Sequence, residues 1–482
     1  MAQFKEKINN QRENLSAIFI IVLMGLFILA GFVSGFVLPL YLLALLFGFV
    51  VSVLYPRSGL FAVVFLTIIF ERFFTLQSFF IRQVEYKLYP LDVLLGGIII
   101  GILLEIFIHK KEVKFKKVDF WLIAFIFLNI IYFIASAFFL NTSLMLAVSI
   151  FKNYAFYSLL YFISVFLIRT ETDLKNFFKF FFAGAVGVIV FLLLGILRGQ
   201  GIWSEFTPLS TEGVRILAFP HGLYLSLFIF PAISHILFRN KRSNKLLFSL
   251  ILIWIFGIAG TMMRHLWISL VATAVVVYFF LSGNKRAELR KIFSKISILV
   301  IFTGAFIFYG ISMLPPSNLA IDLHAVTKAL SNRVLSLANV EADESFSWRG
   351  LVWKSAFEEY RRNPLFGIGT GRTVYVEEGE YRDFIEIKNI HNSYLTILFQ
   401  FGLLGFGAFL ALVVIILKKL IQSLNAHKLS LYKFSVLGMM LLFLFSFPFQ
   451  PYLETNLLAL FFWLTLGIAR NLSEDEIISS RT

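Results

Sequence analysis

The sequence contains no cysteine, so disulfide bonds and thiol chemistry are excluded. Charged residues are also scarce, because Asp, Glu, Lys and Arg together make up only 15% of the 482 residues. Hydrophobic residues make up 59%, and phenylalanine alone occurs 60 times, which is more apolar surface than one water-soluble core can bury. The composition therefore indicates a polytopic membrane protein.

Long apolar runs recur along the whole chain. A membrane-spanning helix needs about 20 mainly apolar residues, and about fourteen stretches of the sequence meet this requirement. They lie near residues 15–36, 37–54, 60–76, 91–107, 118–140, 144–168, 177–197, 223–238, 246–263, 266–281, 292–314, 393–417, 432–449 and 453–468. The first run is too long for a removable signal peptide and lacks its cleavage site. We therefore predict an all-α polytopic fold with about fourteen transmembrane helices.

The positively charged residues are distributed unevenly between these runs. Short loops that face the cytoplasm collect Lys and Arg, so the basic residues report the orientation of the spans. Basic clusters precede the first candidate span and follow even-numbered ones: Lys5, Lys7 and Arg12; Lys110, Lys111, Lys114, Lys116 and Lys117; Arg239, Lys241, Arg242 and Lys245; Lys285, Arg286, Arg290 and Lys291; Lys418 and Lys419. Both termini are therefore predicted to be cytoplasmic. The net charge of +15 follows from this topology and gives no reason to predict binding to nucleic acid.

One polar stretch, between about Ile321 and Tyr394, interrupts the apolar pattern and is predicted to face the extracytoplasmic side. We divide the chain into an N-terminal transmembrane bundle of about eleven helices (residues 1–313), a large extracytoplasmic loop (314–390), and C-terminal transmembrane helices with a cytoplasmic tail (391–482). The loop is large enough for a small lid but not for an independent domain with a sizeable core.

The large loop is predicted to be partly helical. Ser347 is a candidate cap for a helix that ends at Asn363-Pro364, because the residue before a proline avoids the helical conformation. The acidic run between Glu377 and Glu386 is expected to be a solvated surface. The alternative is that one of its carboxylates reaches a substrate.

His391 lies where the polar stretch gives way to a hydrophobic run. Residues eleven apart on an α-helix differ by only about 20° in direction, so His391 and Gly402 are predicted to share one helix face. Gly402 and Gly405 would then allow the close approach of a neighbouring helix. An interfacial histidine is either structural or catalytic, and this spacing leaves both interpretations open.

Three further positions lie at or within the predicted membrane. Lys152 falls inside the sixth candidate span, where an unpartnered lysine costs ~2.5–3.5 kcal/mol, so it either snorkels to the outer surface or faces an anionic ligand. Arg264 precedes the tenth span and either anchors to lipid headgroups or binds a ligand. The stretch from Arg215 to His221 is either an ordered re-entry into the membrane or a plain solvent loop.

Motifs in and around the large loop resemble those of the O-antigen ligase and polymerase superfamily of integral-membrane glycosyltransferases. They are R-G-L-V-W from Arg349, N-P-L-F-G-I-G-T-G from Asn363, and H-N-S-Y-L from His391, followed by F-G-L-L-G. The stretch G-V-R-I-L-A-F-P-H around Arg215 resembles the family's arginine motif, and Arg264 lies where members have a serine-arginine pair. The resemblance implies a GT-C-like architecture in the bacterial inner membrane, with the active site facing the periplasm.

The resemblance also implies a reaction, the transfer of a glycan from an undecaprenyl-diphosphate carrier to a sugar hydroxyl on a lipid carrier or on lipid A-core. In this chemistry His391 is the general base, since histidine titrates near neutral pH. Arg349 and Arg215 are catalytic cations at the diphosphate, because guanidinium groups bind such oxygens bidentately. The substrate-binding candidates are Arg264, Lys152, Trp353, Asn392 and His221.

No metal and no cofactor are implied, because the arginines take the charge-neutralising role that a metal plays in other transferases. Attack from the face opposite the diphosphate predicts inversion of the anomeric centre. The number of spans slightly favours a polymerase over an O-antigen ligase or a protein glycan transferase. A transporter of lipid-linked sugars is the alternative of another class, and it predicts ionisable residues deep in several helices. Membrane lipids are the other expected partners.

Overall fold

The computed structural model describes residues 2–70, 79–81, 84–86, 88–108, 110–140, 142–198, 216–239, 244–313, 323–335, 344–378, 381–425, 429–474 and 476–477. The helices up to residue 313 are α1 (Ala2–Ser34), α2 (Leu38–Leu54), α3 (Pro56–Phe70), α4 (Pro90–Phe107), α5 (Asp119–Phe138), α6 (Leu144–Phe151), a π-helix (Lys152–Phe156), α7 (Leu159–Leu167), α8 (Glu171–Arg198), α9 (Phe219–Phe238), α10 (Asn244–Gly260), α11 (Arg264–Phe280) and α12 (Gly283–Met313). A short antiparallel hairpin, β1 (Phe79–Ile81) and β2 (Val84–Tyr86), lies between α3 and α4.

The remaining elements belong to the large loop and the C-terminal helices. They are α13 (Leu323–Leu335), α14 (Glu344–Tyr360), β3 (Thr373–Glu378), β4 (Tyr381–Glu386), a 3-10 helix (Ile387–Asn389), α15 (Ser393–Ser423), α16 (Ser430–Ser446) and α17 (Asn456–Ser473).

A helix lies at the position of each span that the sequence predicts. Among the described residues, eight helical stretches are long and apolar enough to cross a membrane: Asn10–Gly31, Pro90–Phe107, Asp119–Phe138, Leu144–Leu167, Phe219–Phe238, Gly283–Gly310, Ser393–Ser423 and Asn456–Ser473. Shorter apolar helices span Leu38–Leu54, Pro56–Phe70, Lys245–Gly260, Arg264–Phe280 and Ser430–Ser446. The predicted polytopic, mainly helical membrane protein is therefore confirmed, whereas fourteen crossings and a GT-C-like architecture stay predictions.

The helix bundle has a buried centre and an apolar exterior. Helix α9 packs along α16, and 83% of its apolar stretch is buried, as is 89% of α17. By contrast, only 6% of the apolar stretch of α12 is buried, and its Phe302 and Phe306 are 72% and 78% exposed. Such exposed apolar side chains suit contact with lipid tails, which are as apolar as the protein core.

A buried ion pair joins the start of α5 to the end of α17. The Asp119 carboxylate accepts hydrogen bonds from Nη2 of Arg470 at 2.8 Å and from its Nε at 3.2 Å. The hydroxyl of Tyr161 donates to the same carboxylate at 2.6 Å. Because both charges are buried, the pair stabilises the fold only if these hydrogen bonds offset the cost of removing the charges from water.

The large loop contains helices, as predicted, but also a β-hairpin that the sequence analysis missed. Strands β3 and β4 pair antiparallel, with Val374 and Val376 buried and Tyr375 between them exposed, which is the alternation of a half-buried strand. The acidic run lies largely on this hairpin, where Glu377 forms an exposed ion pair with Arg382 at 2.9 Å. The expectation that Ser347 caps a helix is wrong, because α14 already begins at Glu344.

Candidate functional site

His391 precedes helix α15 and does not belong to it. The side chain of Asn392 accepts a hydrogen bond from the backbone N–H of Leu395 at 3.1 Å, so Asn392 is the N-cap and the helix begins at Ser393. His391 itself adopts a left-handed backbone conformation with φ of 57°. The interpretation that His391 shares a helix face with Gly402 is therefore wrong, because the helix begins only after the Asn392 cap and His391 lies outside it.

The imidazole of His391 is held by the loop between α16 and α17, residues 447–455, which we call the 447–455 loop. Nδ1 of His391 lies 2.9 Å from Oε1 of Gln450. A carbonyl oxygen only accepts, so Nδ1 carries the proton in this hydrogen bond and Nε2 is left with a lone pair. The ring of Trp348 meets the imidazole edge to face, with 5.8 Å between the centroids.

The environment of His391 favours the neutral imidazole. Burial lowers the pKa of His391 below its ordinary value of 6.5, and the nearby positive charge of Arg349 lowers it further. The hydrogen bond to Gln450 acts in the opposite direction and raises the pKa, but the net shift is downward. A neutral imidazole with a lone pair on Nε2 can accept a proton at neutral pH.

Helix α14 brings Arg349 and Trp353 to the same place. Trp353, one turn after Arg349, donates its indole N–H to the backbone carbonyl of Ile390 at 2.7 Å and so fixes the residue that precedes His391. Arg349 is close enough for its charge to act on the His391 imidazole. The structure thus places Arg349 and His391, two of the site residues that the sequence predicts, near each other, and their catalytic roles stay predictions. A substrate-binding role for Trp353 and Asn392 stays a prediction, since the structure shows them positioning the chain around His391.

The 447–455 loop also contacts the start of α11, where Arg264 and His265 lie. Nε2 of His265 lies 2.9 Å from the hydroxyl of Tyr452, and its ring stacks on Phe449 with 6.0 Å between the centroids. One loop therefore touches the N-terminal ends of both α11 and α15. Through this loop Arg264 and His391 belong to neighbouring elements on one side of the bundle.

Arg215 lies outside the residues that the structure describes. The next residue, Ile216, donates its backbone N–H to the carbonyl of Gly260 at 3.0 Å and packs against Met262 in the turn before Arg264. Leu330 of α13 packs against the same turn. The turn before Arg264 is thus contacted both by the residue that follows Arg215 and by helix α13 of the large loop.

Lys152 occupies the π-helix and has a carboxylate partner within the bundle. Its ammonium group pairs with the carboxylate of Asp92 and lies 4.1 Å from the centroid of the Tyr89 ring. The hydroxyl of Tyr157 donates to the other oxygen of Asp92 at 2.7 Å. This ion pair is a third way to stabilise the lysine, besides the snorkelling and the ligand contact that the sequence suggests. Ligand binding by Lys152 stays a prediction.

His221 is fully buried in α9. Its Nε2 lies 3.4 Å from the backbone carbonyl of Ile69 in α3. The Cβ position of the next residue, Gly222, faces Thr261 at 2.6 Å, so α9 approaches the turn before α11 closely. The substrate-binding role of His221 stays a prediction.

The glycine motif from Asn363 to Gly371 inserts its backbone into a break in α15. At this break Gly402 has φ of 64° and ψ of −168°, and the helical hydrogen bonds across it are missing. The motif supplies acceptors for the free N–H groups after the break and donors for the free carbonyls before it. The carbonyls of Pro364 and Leu365 accept from the N–H groups of Leu403 and Leu404 at 2.9 and 3.3 Å, and the N–H groups of Ile368 and Gly369 donate to the carbonyls of Phe399 and Gln400 at 2.8 and 3.1 Å.

This insertion corrects the expectation that Gly402 receives a neighbouring helix, while the same expectation for Gly405 stays a prediction. The space beside Gly402 is filled by the backbone of Leu365, whose carbonyl oxygen lies 2.3 Å from where a Cβ would be. The first part of α15, from Ser393 to the break at Gly402, is thereby fastened to the large loop.

Gln450 and the buried Glu454 of the 447–455 loop are not among the site residues predicted from the sequence. The last apolar run of the sequence begins near residue 453, whereas α17 begins at Asn456 and leaves Glu454 in the connection. A glutamine between Pro448 and Pro451 in an otherwise apolar turn was the available signal. Among the described residues, no three His, Asp or Glu side chains are grouped so as to hold a metal ion.

Comparison with known proteins shows which proteins this part of the chain resembles. Residues 246–410 match the family model described as O-antigen ligase. This range includes Arg264, Arg349 and His391. The chain is also similar to the O-antigen ligase of Salmonella typhimurium, with 25% identity over 315 residues that cover 57% of this chain and 72% of the relative. The resemblance to the O-antigen ligase and polymerase superfamily is therefore confirmed.

Proposed function

We propose that this chain, which carries an O-antigen ligase domain, transfers a glycan from an undecaprenyl-diphosphate carrier to a sugar hydroxyl at the extracytoplasmic face of the inner membrane. The observation that carries the proposal is the pairing of His391 with Gln450, which leaves Nε2 as a proton acceptor beside Arg349. A proton acceptor and a fixed cation are what an acceptor hydroxyl and a departing diphosphate require.

The proposed reaction has one bond made and one bond broken at the anomeric carbon. The acceptor oxygen attacks this carbon while its proton passes to Nε2 of His391. The bond from the anomeric carbon to the diphosphate oxygen breaks, and its electron pair leaves with the diphosphate. Arg349, together with Arg215 and Arg264, neutralises the charge on the leaving group, so that no metal is needed. Direct displacement inverts the anomeric centre.

The acceptor decides between a ligase and a polymerase. The family model and the Salmonella relative are both described as O-antigen ligase, which favours transfer to lipid A-core. The predicted number of about fourteen spans favours the second candidate, a polymerase that extends lipid-linked repeats, because we associate ligases with fewer spans.

Reconstitution in liposomes separates these functions. The purified protein would receive undecaprenyl-diphosphate-linked repeat units, with or without lipid A-core. Product that forms only with lipid A-core indicates a ligase, and longer lipid-linked chains without it indicate a polymerase. Retention of the anomeric configuration would contradict direct displacement. Movement of the lipid-linked sugar across the bilayer without any glycosidic product would favour the transporter and contradict the proposal.

Replacement of Arg349 should change both the rate and the pH dependence of transfer. In Arg349→Ala the loss of charge-assisted hydrogen bonds to the diphosphate, about 1.5–3 kcal/mol, should lower kcat/KM about ten- to a hundredfold. The base must be neutral, so activity falls as the pH drops through the pKa of His391. Because Arg349 lowers that pKa, the acid limb of the pH profile should move to higher pH in Arg349→Ala.

Arg349→Lys is the matched variant, since it keeps the charge but loses the bidentate fork. Its acid limb should stay near that of the wild type while kcat/KM is only partly restored. Arg362→Ala is the control, because Arg362 belongs to the same loop and forms only an exposed ion pair with Glu359. An Arg349→Lys variant with full activity would favour a structural role for the arginine.

A further inference from the structure

The 447–455 loop contains a buried carboxylate that the proposed reaction does not use. Glu454 accepts a hydrogen bond from the hydroxyl of Tyr154 on one carboxylate oxygen and from the hydroxyl of Ser393, at 2.6 Å, on the other. Among the described residues, none forms an ion pair with this carboxylate. Burial raises its pKa to about 7, although the hydrogen bonds offset part of that effect. A carboxylate is costly to bury without a cation, so its presence here calls for a function.

Glu454 joins three elements that meet at the site. Tyr154 lies on the π-helix, and its neighbour Asn153 donates to the backbone carbonyl of Glu454. Ser393 is the first residue of α15, and its hydroxyl also accepts from the backbone N–H of Leu453 at 3.2 Å. A π-helix shifts the direction of successive side chains, and such segments are frequent at functional sites. The carboxylate therefore fastens the 447–455 loop to the start of α15 and to the π-helix.

The same contacts determine where Gln450 lies. Gln450 precedes Glu454 by four residues in the loop, and Ser393 follows His391 by two residues. The loop is anchored on its other side by the carbonyl of Phe447, which accepts from the backbone N–H of Ser393 at 2.9 Å. Gln450 thus lies between two attachments to Ser393. The backbone carbonyl of Gln450 also accepts from the hydroxyl of Ser393 at 3.3 Å, so these attachments hold the segment that places Oε1 at Nδ1 of His391.

We infer that Glu454 is a positioning residue for His391: its hydrogen bonds to Ser393 and Tyr154 hold Gln450 at Nδ1 and thereby keep the lone pair of Nε2 directed at the acceptor hydroxyl. The inference rests on the proposed role of His391 as the base. Glu454 itself contacts no substrate in this scheme. A displacement of the base by about 1 Å is enough to lower a rate by roughly a hundredfold.

The test compares Glu454→Ala with Glu454→Gln in purified, folded protein. Alanine removes both hydrogen bonds, so kcat should fall about ten- to a hundredfold with KM for donor and acceptor nearly unchanged. Loss of burial raises the pKa of His391, whereas loss of the Gln450 hydrogen bond lowers it. Burial is the larger of the two effects, so the acid limb should move to higher pH. Glutamine can accept from one hydroxyl and donate to the other, so Glu454→Gln should restore most of kcat.

Asp119→Asn is the matched control. Asp119 is also a buried carboxylate that accepts from a tyrosine hydroxyl, but its partners are Tyr161 and Arg470. This substitution should lower thermal stability without moving kcat or the acid limb. If Glu454→Ala does not fold, Tyr154→Phe removes one of the two hydrogen bonds and should show the same changes to a smaller degree. Ser393→Ala removes the other together with the contacts of its hydroxyl to the backbone of Gln450 and Leu453, and should show the same changes more strongly than Tyr154→Phe.

The inference and the proposed function fail in different ways. Wild-type kcat and an unmoved acid limb in Glu454→Ala, or in both single-hydroxyl variants, would overturn the inference while an inactive His391 variant still supports the base. Activity that falls only in proportion to the amount of folded protein would also overturn it, because that is the result of a purely structural role. Full transfer by a His391 variant would instead overturn the proposed function.

Discussion

Replacement of His391 should lower the rate of glycan transfer about 10²–10⁴-fold, the contribution that a positioned general base makes. The expectation follows from the geometry, since Gln450 occupies Nδ1 and leaves Nε2 to take the proton of the acceptor. His391 has a positive φ of 57°, so alanine adds backbone strain. His391→Asn is therefore the sharper variant, because asparagine tolerates this conformation but cannot act as a base at neutral pH.

The measurement is the initial rate of product formation in liposomes, together with donor binding and the thermal unfolding temperature. Binding and unfolding should stay near those of the wild type in His391→Asn. His324→Ala is the control, because His324 is an exposed histidine of the same large loop. Retained transfer in His391→Asn would assign a structural role to His391, and equal losses in both variants would point to a general effect on the loop.

The membrane helices could be predicted from the sequence because their signal is local. A run of about 20 apolar residues leaves the chain few alternatives to a helix, so each predicted span has a helix at its position. The large loop was less predictable. Its hairpin depends on Val374 and Val376 reaching an apolar cluster with Val352 of α14, a contact between segments that are distant in sequence.

The candidate site was predicted only in part. The residues that were missed are the hydrogen-bond and ion-pair partners of the predicted site residues. Arg349 and His391 were identified from motifs, and the structure places them together. Gln450 was not identified, because its relation to His391 exists only once α16 turns back beside α15. The same holds for Lys152, whose carboxylate partner Asp92 lies 60 residues earlier in the chain.

The spacing between His391 and Gly402 shows how a correct motif can receive a wrong explanation. The spacing of eleven residues suggested that both lie on one face of a continuous helix. In the structure, this spacing is instead the distance along the chain from the helix cap to the helix break. Asn392 and Gly402 mark the two ends of the first segment of α15. The length of this segment sets how far His391 lies from the point where the glycine motif enters the helix.

Substitution of Gly402 by alanine should therefore destabilise the whole protein and abolish transfer. The backbone conformation at Gly402 is accessible essentially only to glycine, which alone amounts to about 1–3 kcal/mol of strain for alanine. The added Cβ would also lie 2.3 Å from the carbonyl oxygen of Leu365 and 2.6 Å from the backbone nitrogen of Gly367. Backbone atoms cannot rotate away, so the glycine motif would have to leave the break. Loss of its hydrogen bonds would then expose unsatisfied backbone groups within the bundle, where each is costly.

The measurement is the unfolding temperature and the yield of monodisperse protein in detergent, followed by the transfer assay. Gly407→Ala is the matched control, because Gly407 lies on the same helix and a Cβ there meets no atom within 4 Å. It should be neutral or slightly stabilising, since alanine favours the helix. Gly367→Ala should resemble Gly402→Ala, as its Cβ would lie 2.6 Å from the backbone nitrogen of Gly402. Wild-type stability in Gly402→Ala would mean that α15 can run unbroken, and the glycine motif would then need another place in the fold.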